Sequence, residues 1–350
     1  MAATQTPEAA RPPGHQAARV RRVGTLRAWL TRPELAAVAG CVLVWLFFAA
    51  VASDSGFLSQ GGTASYLEVA AQVGIVGVPV AMLMIAGEFD LSVGSMVGAA
   101  GMIIAISTAE YGWPLWAGIV AAFVVAALVG LFNGYIVVKT GLPSFIVTLG
   151  MLFALSGATI GLSRLLTDRT QISMYPGDLE GFLHSLFAGK IGPYPASIAW
   201  WLGLAVVATY VLQKTVFGNW VFGAGGDKYA ARNVGVPVAR VKILTFVATA
   251  TSAALLATIQ VLDAGSADVI RGQLLELQAI AAAVIGGVLL TGGYGSVIGA
   301  LFGALIFGMV QQGIFFTGVD TDWFKLFVGA MILLAVLFNN LIRKRAAEAH

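Results

Sequence analysis

Two carboxylates stand two residues apart in an apolar stretch, Glu88 and Asp90 of Gly87-Glu-Phe-Asp-Leu-Ser-Val-Gly94. Ionisable groups at membrane depth are costly, and where they persist they serve ion or substrate paths. Glu88, Asp90 and the adjacent Ser92 are therefore candidates for a polar path or gate. A local reading stands beside it: Asp90 caps the helix that follows, its side chain accepting hydrogen bonds from first-turn N–H groups. Other polar side chains inside apolar runs are neutral, among them Gln72, Asn133, Gln311 and Gln312. Such groups commonly bond helix to helix, and Asn133 is also kept as a path candidate. Catalysis needs convergent nucleophiles, acids or metal ligands. The three histidines, His15, His184 and His350, are scattered, and no phosphate-binding G-x-x-x-x-G-K-[ST] run occurs. No metal site and no bound cofactor are expected, and the chain hydrolyses no ATP by itself. The lack of a mid-helix carboxylate also argues against an ion-coupled secondary transporter, which needs such a group.

The second informative stretch is Gly225-Gly226-Asp227-Lys228-Tyr229-Ala230-Ala231-Arg232-Asn233-Val234-Gly235-Val236-Pro237. Asp227 suits an N-cap, residues 228–234 a helix, Gly235 a left-handed stop, and Pro237 prevents continuation. Isolated helices shorter than ~12 residues are marginal in water, so a two-turn helix this well delimited implies docking. Its target is a partner subunit, its own bundle or lipid headgroups. Ala230 and Ala231 are small where a partner would approach closely, with Lys228 and Arg232 beside them.

The elements that must position these residues are membrane helices. Apolar residues make up 58% of the chain and charged ones only 11%, too few to cover the surface of a soluble protein of 350 residues. The mean hydropathy of +0.87 agrees. Uncharged runs long enough to span a bilayer occur at 35–53, 69–87, 91–109, 111–138, 140–163, 191–213, 243–262, 277–319 and 326–342. Thr291-Gly-Gly-Tyr-Gly-Ser296 splits the longest into two. The expectation is an all-α polytopic membrane protein of about ten transmembrane helices, without strands because the runs do not alternate. With both termini inside, 15 of the 20 basic residues fall on the cytoplasmic side, as the positive-inside rule requires. The same placement accounts for the net charge of +3 without nucleic acid. Residues 1–33 read as a disordered basic cytoplasmic tail near headgroups, and 34–345 as the transmembrane domain.

An internal repeat is also expected. Gly87, Gly94 and Gly98 recur 205 residues later as Gly292, Gly299 and Gly303, with Asp90 opposite Gly295. In both places an apolar helix ends at a glycine turn and the next opens with a GxxxG pair, and the span count puts both turns at the same membrane edge.

These stretches resemble the permease family of ribose-, xylose- and galactose-type ABC importers. That family's G-G-I-D-L-S-V-G is similar to residues 87–94, with Glu88 and Phe89 in place of Gly and Ile. Its G-G-N-x-E-A-A-R-x-x-G-I is similar to Gly225 through Val236, with Asp227 in place of Asn, Tyr229 in place of Glu and Val236 in place of Ile. Pro143-Ser-Phe-Ile-Val-Thr-Leu-Gly150, Leu275-Glu-Leu-Gln-Ala-Ile-Ala-Ala, Ile285-Gly-Gly and Gly292-Gly-Tyr-Gly-Ser296 extend the likeness. Gln278 stands where the family has Asp, which adds it to the path candidates. The resemblance implies alternating-access sugar import across the bacterial inner membrane, with ATP and Mg on a cytoplasmic ABC ATPase. That subunit would grip the element of Gly225, Gly226, Asp227, Lys228, Ala230, Ala231, Arg232 and Gly235. It also implies an extracytoplasmic sugar-binding protein and a second permease copy, expected as a homodimer. Importers of nucleosides or branched-chain amino acids are the nearest alternative.

Overall fold

The structure is a computed structural model that describes residues 33–320 and scattered positions from there to 333. The tail expected over 1–33 and the span expected at 326–342 thus lie almost wholly outside the described residues. The helices are α1 (Pro33–Val51), α2 (Gln60–Ile85), α3 (Val93–Ala105, continued by a π turn to Glu110), α4 (Leu115–Thr140) and α5 (Ser144–Thr167). They continue with α6 (Phe182–Ala188), α7 (Ala196–Lys214), α8 (Val216–Gly226), α9 (Lys228–Asn233), α10 (Val238–Ala264), α11 (Leu275–Ile285) and α12 (Val297–Phe316). Eight of them, α1 to α5, α7, α10 and α12, are long and apolar enough to cross a bilayer. The chain is an all-α polytopic membrane protein.

Two short ribbons complete it. Strand β1 (Gln171–Ser173) pairs antiparallel with β4 (Ser266–Asp268), Gln171 facing Asp268, and β2 (Lys190–Ile191) pairs with β3 (Tyr194–Pro195).

Helices α2, α3, α10 and α12 are the most buried spans and make the core, whereas α1, α4, α5 and α7 expose apolar faces such as Phe47, Phe132, Phe153 and Val206. With lipid as solvent no hydrophobic effect drives helices together, so close backbone approach must. Gly130 of α4 shows this: a Cβ there would come within 2.6 Å of the Phe246 carbonyl oxygen on α10.

Helix α2 begins nine residues before the uncharged run at 69–87, because Ser59 caps it, its Oγ accepting from the Gly62 N–H at 2.9 Å. Glu68 consequently lies within the helix. The segment 214–242 holds two short helices where the sequence pattern indicates one. The extra one, α8, is capped by Thr215 and rich in glycine, which hid it. Helix α11 is only 11 residues long, short of a full span.

The two helix ends expected to repeat share a backbone turn, in another register than the glycine letters. Helix α2 ends with Ala86 (φ −72°, ψ 0°) and left-handed Gly87, and α11 ends with Gly286 (φ −70°, ψ 0°) and left-handed Gly287. Closing bonds match as well: Glu88 N–H donates to Leu83 O at 3.1 Å, and Val288 N–H to Ala283 O at 3.0 Å. In that turn Gly87 matches Gly287 rather than Gly292, and the second break contains extra residues before its N-cap, Ser296. The end of α9 closes the same way at left-handed Gly235, Val236 N–H donating to Ala231 O at 3.0 Å, so the turn is a general helix stop and not a mark of duplication. The GxxxG pairs also pack differently. Gly94 and Gly98 face the chain at 269–276, whereas Gly299 and Gly303 face Gly286 and Ala282.

Candidate functional site

Between α2 and α3 the chain runs through an irregular break, residues 88–92, outside either helix. Irregular backbone at membrane depth is tolerated only inside protein or beside water, since lipid satisfies no polar group. Two side chains of α5 supply partners: the Phe89 N–H donates to Ser144 Oγ at 3.0 Å, and Thr148 Oγ1 lies 3.5 Å from the Phe89 carbonyl oxygen. Their spacing of four residues puts both on one face of α5.

Asp90 is fully buried and centres a knot of hydrogen bonds. One carboxylate oxygen accepts from the Ser92 N–H (2.9 Å) and the Ser92 O–H (2.6 Å), the other from Thr249 Oγ1 of α10 (2.8 Å). Asn133 Nδ2 of α4 donates to Ser92 Oγ at 2.9 Å. The N-cap of α3 is Ser92, so Asp90 steadies the helix entry from two residues upstream instead of capping it. Asp90, Ser92, Asn133 and Thr249 are all shielded from solvent. Gln278 is half-buried on α11 and is not among the knot's hydrogen-bonding partners. Asn133 Oδ1 is buried without a partner among the described residues.

Two residues upstream of Asp90, Glu88 forms an ion pair with Lys242 of α10, their side chains 10% and 12% exposed. Lys242 had value in the sequence only as a positive charge. Its pairing with a residue 154 positions away left no local signal.

The segment 225–237 is built as its residues dictate. Asp227 Oδ1 accepts from the N–H groups of Tyr229 (2.9 Å) and Ala230 (3.0 Å), and Gly235 is left-handed at φ +88°. Lys228, Tyr229, Ala230, Arg232 and Val234 are exposed. Ala231 is not; it packs inward against α8, where a Cβ on Gly223 would touch it at 3.6 Å. Of the two alanines expected to meet a partner, only Ala230 is free to do so.

Gly225, at the end of α8, is wedged between the two breaks. A Cβ there would strike the Ile85 carbonyl oxygen of α2 and come within 2.7 Å of the Gly293 nitrogen. The breaks also touch directly, the Gly293 N–H donating to Ile85 O at 2.8 Å, while a Cβ on Gly292 would lie 2.7 Å from Gly87 Cα. Both glycine turns thus meet at one end of the bundle, on the segment that carries α9. An open cavity of about 640 Å³ lies beside them, lined by Glu88, Lys242, Asp227, Lys228, Arg232 and Thr291 among others.

A family profile described as the permease component of a branched-chain amino acid transport system matches residues 62–336. The fructose import permease protein of Rhizobium meliloti is 34% identical over 282 residues, covering 80% of this chain and 78% of the relative. The xylose transport system permease protein of Escherichia coli K12 is 31% identical, with 88% of this chain and 92% of the relative covered. A xylose/arabinose import permease protein of Sulfolobus acidocaldarius is 32% identical over 308 residues, with 85% and 82% covered. The chain belongs to the simple-sugar ABC importer permease family. No solved structure matches it.

As a multi-pass permease subunit, the chain brings Glu88, Asp90, Ser92 and Asn133 to one region and the 225–235 element beside it, with Gln278 outside the hydrogen-bonded knot. Thr249, Lys242, Ser144 and Thr148 complete the region. Only the Ser144–Thr148 spacing offered a signal, inside a stretch already matched to the permease pattern.

Proposed function

We propose that this permease moves a monosaccharide inward across the bacterial inner membrane by alternating access, driven by ATP hydrolysed on a cytoplasmic ABC ATPase. The position of Gly225 carries this reading. An ATPase gripping the exposed face of α9, at Tyr229, Ala230 and Val234, would displace α8 and with it both glycine turns at once. One stroke would then act on both helix breaks. The cargo follows from the relatives named for fructose, xylose and arabinose. ATP and Mg would sit on the partner, an extracytoplasmic binding protein would deliver the sugar, and two permease copies would form a homodimer. The positive charge of the 214–242 segment favours a cytoplasmic position for it.

Reconstitution with the cognate ATPase and binding protein tests the proposal. ATP-dependent uptake of labelled xylose or fructose is expected, abolished by Ala230→Trp with membrane insertion intact. Uptake driven by an ion gradient without ATP would overturn it. Uptake of branched-chain amino acids instead of sugars would move the cargo to the class named in the family profile.

A further inference from the structure

Helices α2 and α10 each carry an amide and a carboxylate on one face near the end of the bundle away from α9. On α2 these are Glu68 and Gln72, four residues apart; on α10 they are Gln260 and Asp263, three apart. Both spacings align side chains along a helix. The amides meet: Gln260 Nε2 donates to Gln72 Oε1 at 3.2 Å. Glu68 lies in the fields of Asp263 and Lys190. Lys190 Nζ is 3.9 Å from Asp263 Oδ1, and those side chains are 61% and 37% exposed. Arg271 donates to the carbonyl oxygens of Gln260 (3.2 Å) and Ser266 (2.5 Å).

The result is a two-tier polar seam with an open charged mouth and a half-buried amide floor. Gln260 Oε1 at that floor is buried and has no partner among the described residues, an acceptor left for something else. One helical turn deeper the residues are apolar and fully buried, Val76 on α2 and Leu256 on α10. Half-exposed amides and acids facing lipid would be costly, so the seam must face water.

We infer that this seam is the site where a neutral monosaccharide first enters the membrane domain from outside, closed below by Val76 and Leu256. Glu68, Asp263 and Asp268 against Lys190 and Arg271 leave about one negative charge at the mouth, while the amide floor carries none, which fits a neutral polyol there. The paired planar amides offer N–H donors and carbonyl acceptors for adjacent sugar hydroxyls, and the carboxylates accept from hydroxyls above them. The inference rests on the proposed import function for its direction and sugar class. Its test does not require transport.

Cys41, the single cysteine, is replaced by Ala, and single cysteines are placed at Glu68, Gln72, Gln260, Asp263 and Leu256 in the full permease in its native membrane. Reactivity follows access and thiolate character. A membrane-impermeant thiol reagent added outside should label Gln260→Cys and Gln72→Cys about tenfold or more faster than Leu256→Cys. A panel of pentoses and hexoses should slow labelling at the floor, and a disaccharide at equal concentration should not. Floor cysteines as inert as Leu256→Cys, beside a reactive Asp263→Cys, would make the amide pair interhelical bonding only and overturn the inference. Brisk labelling unaffected by every monosaccharide would overturn the sugar assignment. Labelling from the same side as Tyr229→Cys would overturn the direction. The import reading itself is judged separately, by ATP-dependent uptake.

Discussion

The break after α2 and the break after α11 are the same backbone device with different contents. Each closes its helix with the same bonds and one left-handed glycine, and each restarts at a serine N-cap. The first then carries Glu88 and Asp90, tied to α10 by an ion pair and a hydrogen bond. The second carries Val288 and Leu290 at the matching positions, Val288 buried and Leu290 exposed. Turn geometry is thus common to both breaks, while the charged side chains stand in the first alone. The first half is clamped by specific polar partners and the second by packing against glycines.

The largest expected effect breaks the clamp of the first half. Glu88→Gln leaves Lys242 buried and unpaired, which costs about 3–5 kcal/mol, read as a fall in thermal stability in detergent. The double variant Glu88→Gln, Lys242→Met should recover most of it. Equal loss in the single and double variants would mean that the ion pair does no clamping.

Next comes Asp90→Ala, expected to cost about 2–3 kcal/mol, because the Ser92 and Thr249 hydroxyls lose a buried acceptor. Asp90→Asn sharpens the comparison. Its amide oxygen keeps both Ser92 bonds, and its nitrogen donates to Thr249, whose own hydroxyl turns to the Phe246 carbonyl oxygen 2.8 Å away. Near-normal stability is therefore expected for Asn. Near-normal transport alongside it would make Asp90 a purely structural hub, and a stable but inactive protein would assign its charge a part in the stroke.

The second half is probed by Gly292→Ala. A Cβ added to that left-handed residue meets Gly87 and the Gly225 carbonyl oxygen at 2.7 and 2.9 Å, and left-handed backbone disfavours any side chain. A loss of about 1–2 kcal/mol is expected, with coupling reduced further than stability. Coupling is measured as sugar moved per ATP hydrolysed; an unchanged ratio would separate the glycine contact from the stroke. The smallest effect is Asn133→Ala, about 1 kcal/mol for one hydrogen bond, since half of its amide is already unpaired.

Much of this was legible in the residues. Lipid as solvent forces long uncharged runs into helices, so the spans, the capped helix at 228–233 and its glycine stop could be read directly. Helix ends set by a serine cap, as at Ser59, could not be read from a hydropathy run, nor could the glycine-rich α8. The glycines of the two breaks were visible as letters, but their spacing misaligned the turns, because the extra residues of the second break have no marker in sequence.

By itself, the sequence determined the solvent, the helical class and the identity of the family, since these depend on composition, period and local caps. Only the tertiary structure decided that Gly225 sits between both breaks, that Glu88 finds Lys242, that Asp90 finds Thr249, and that Ala231 points inward. Those facts depend on contacts between residues far apart in the chain. Burial and pairing of polar groups are settled only when the helices are packed, because a buried charge or amide is stable according to the partner it meets.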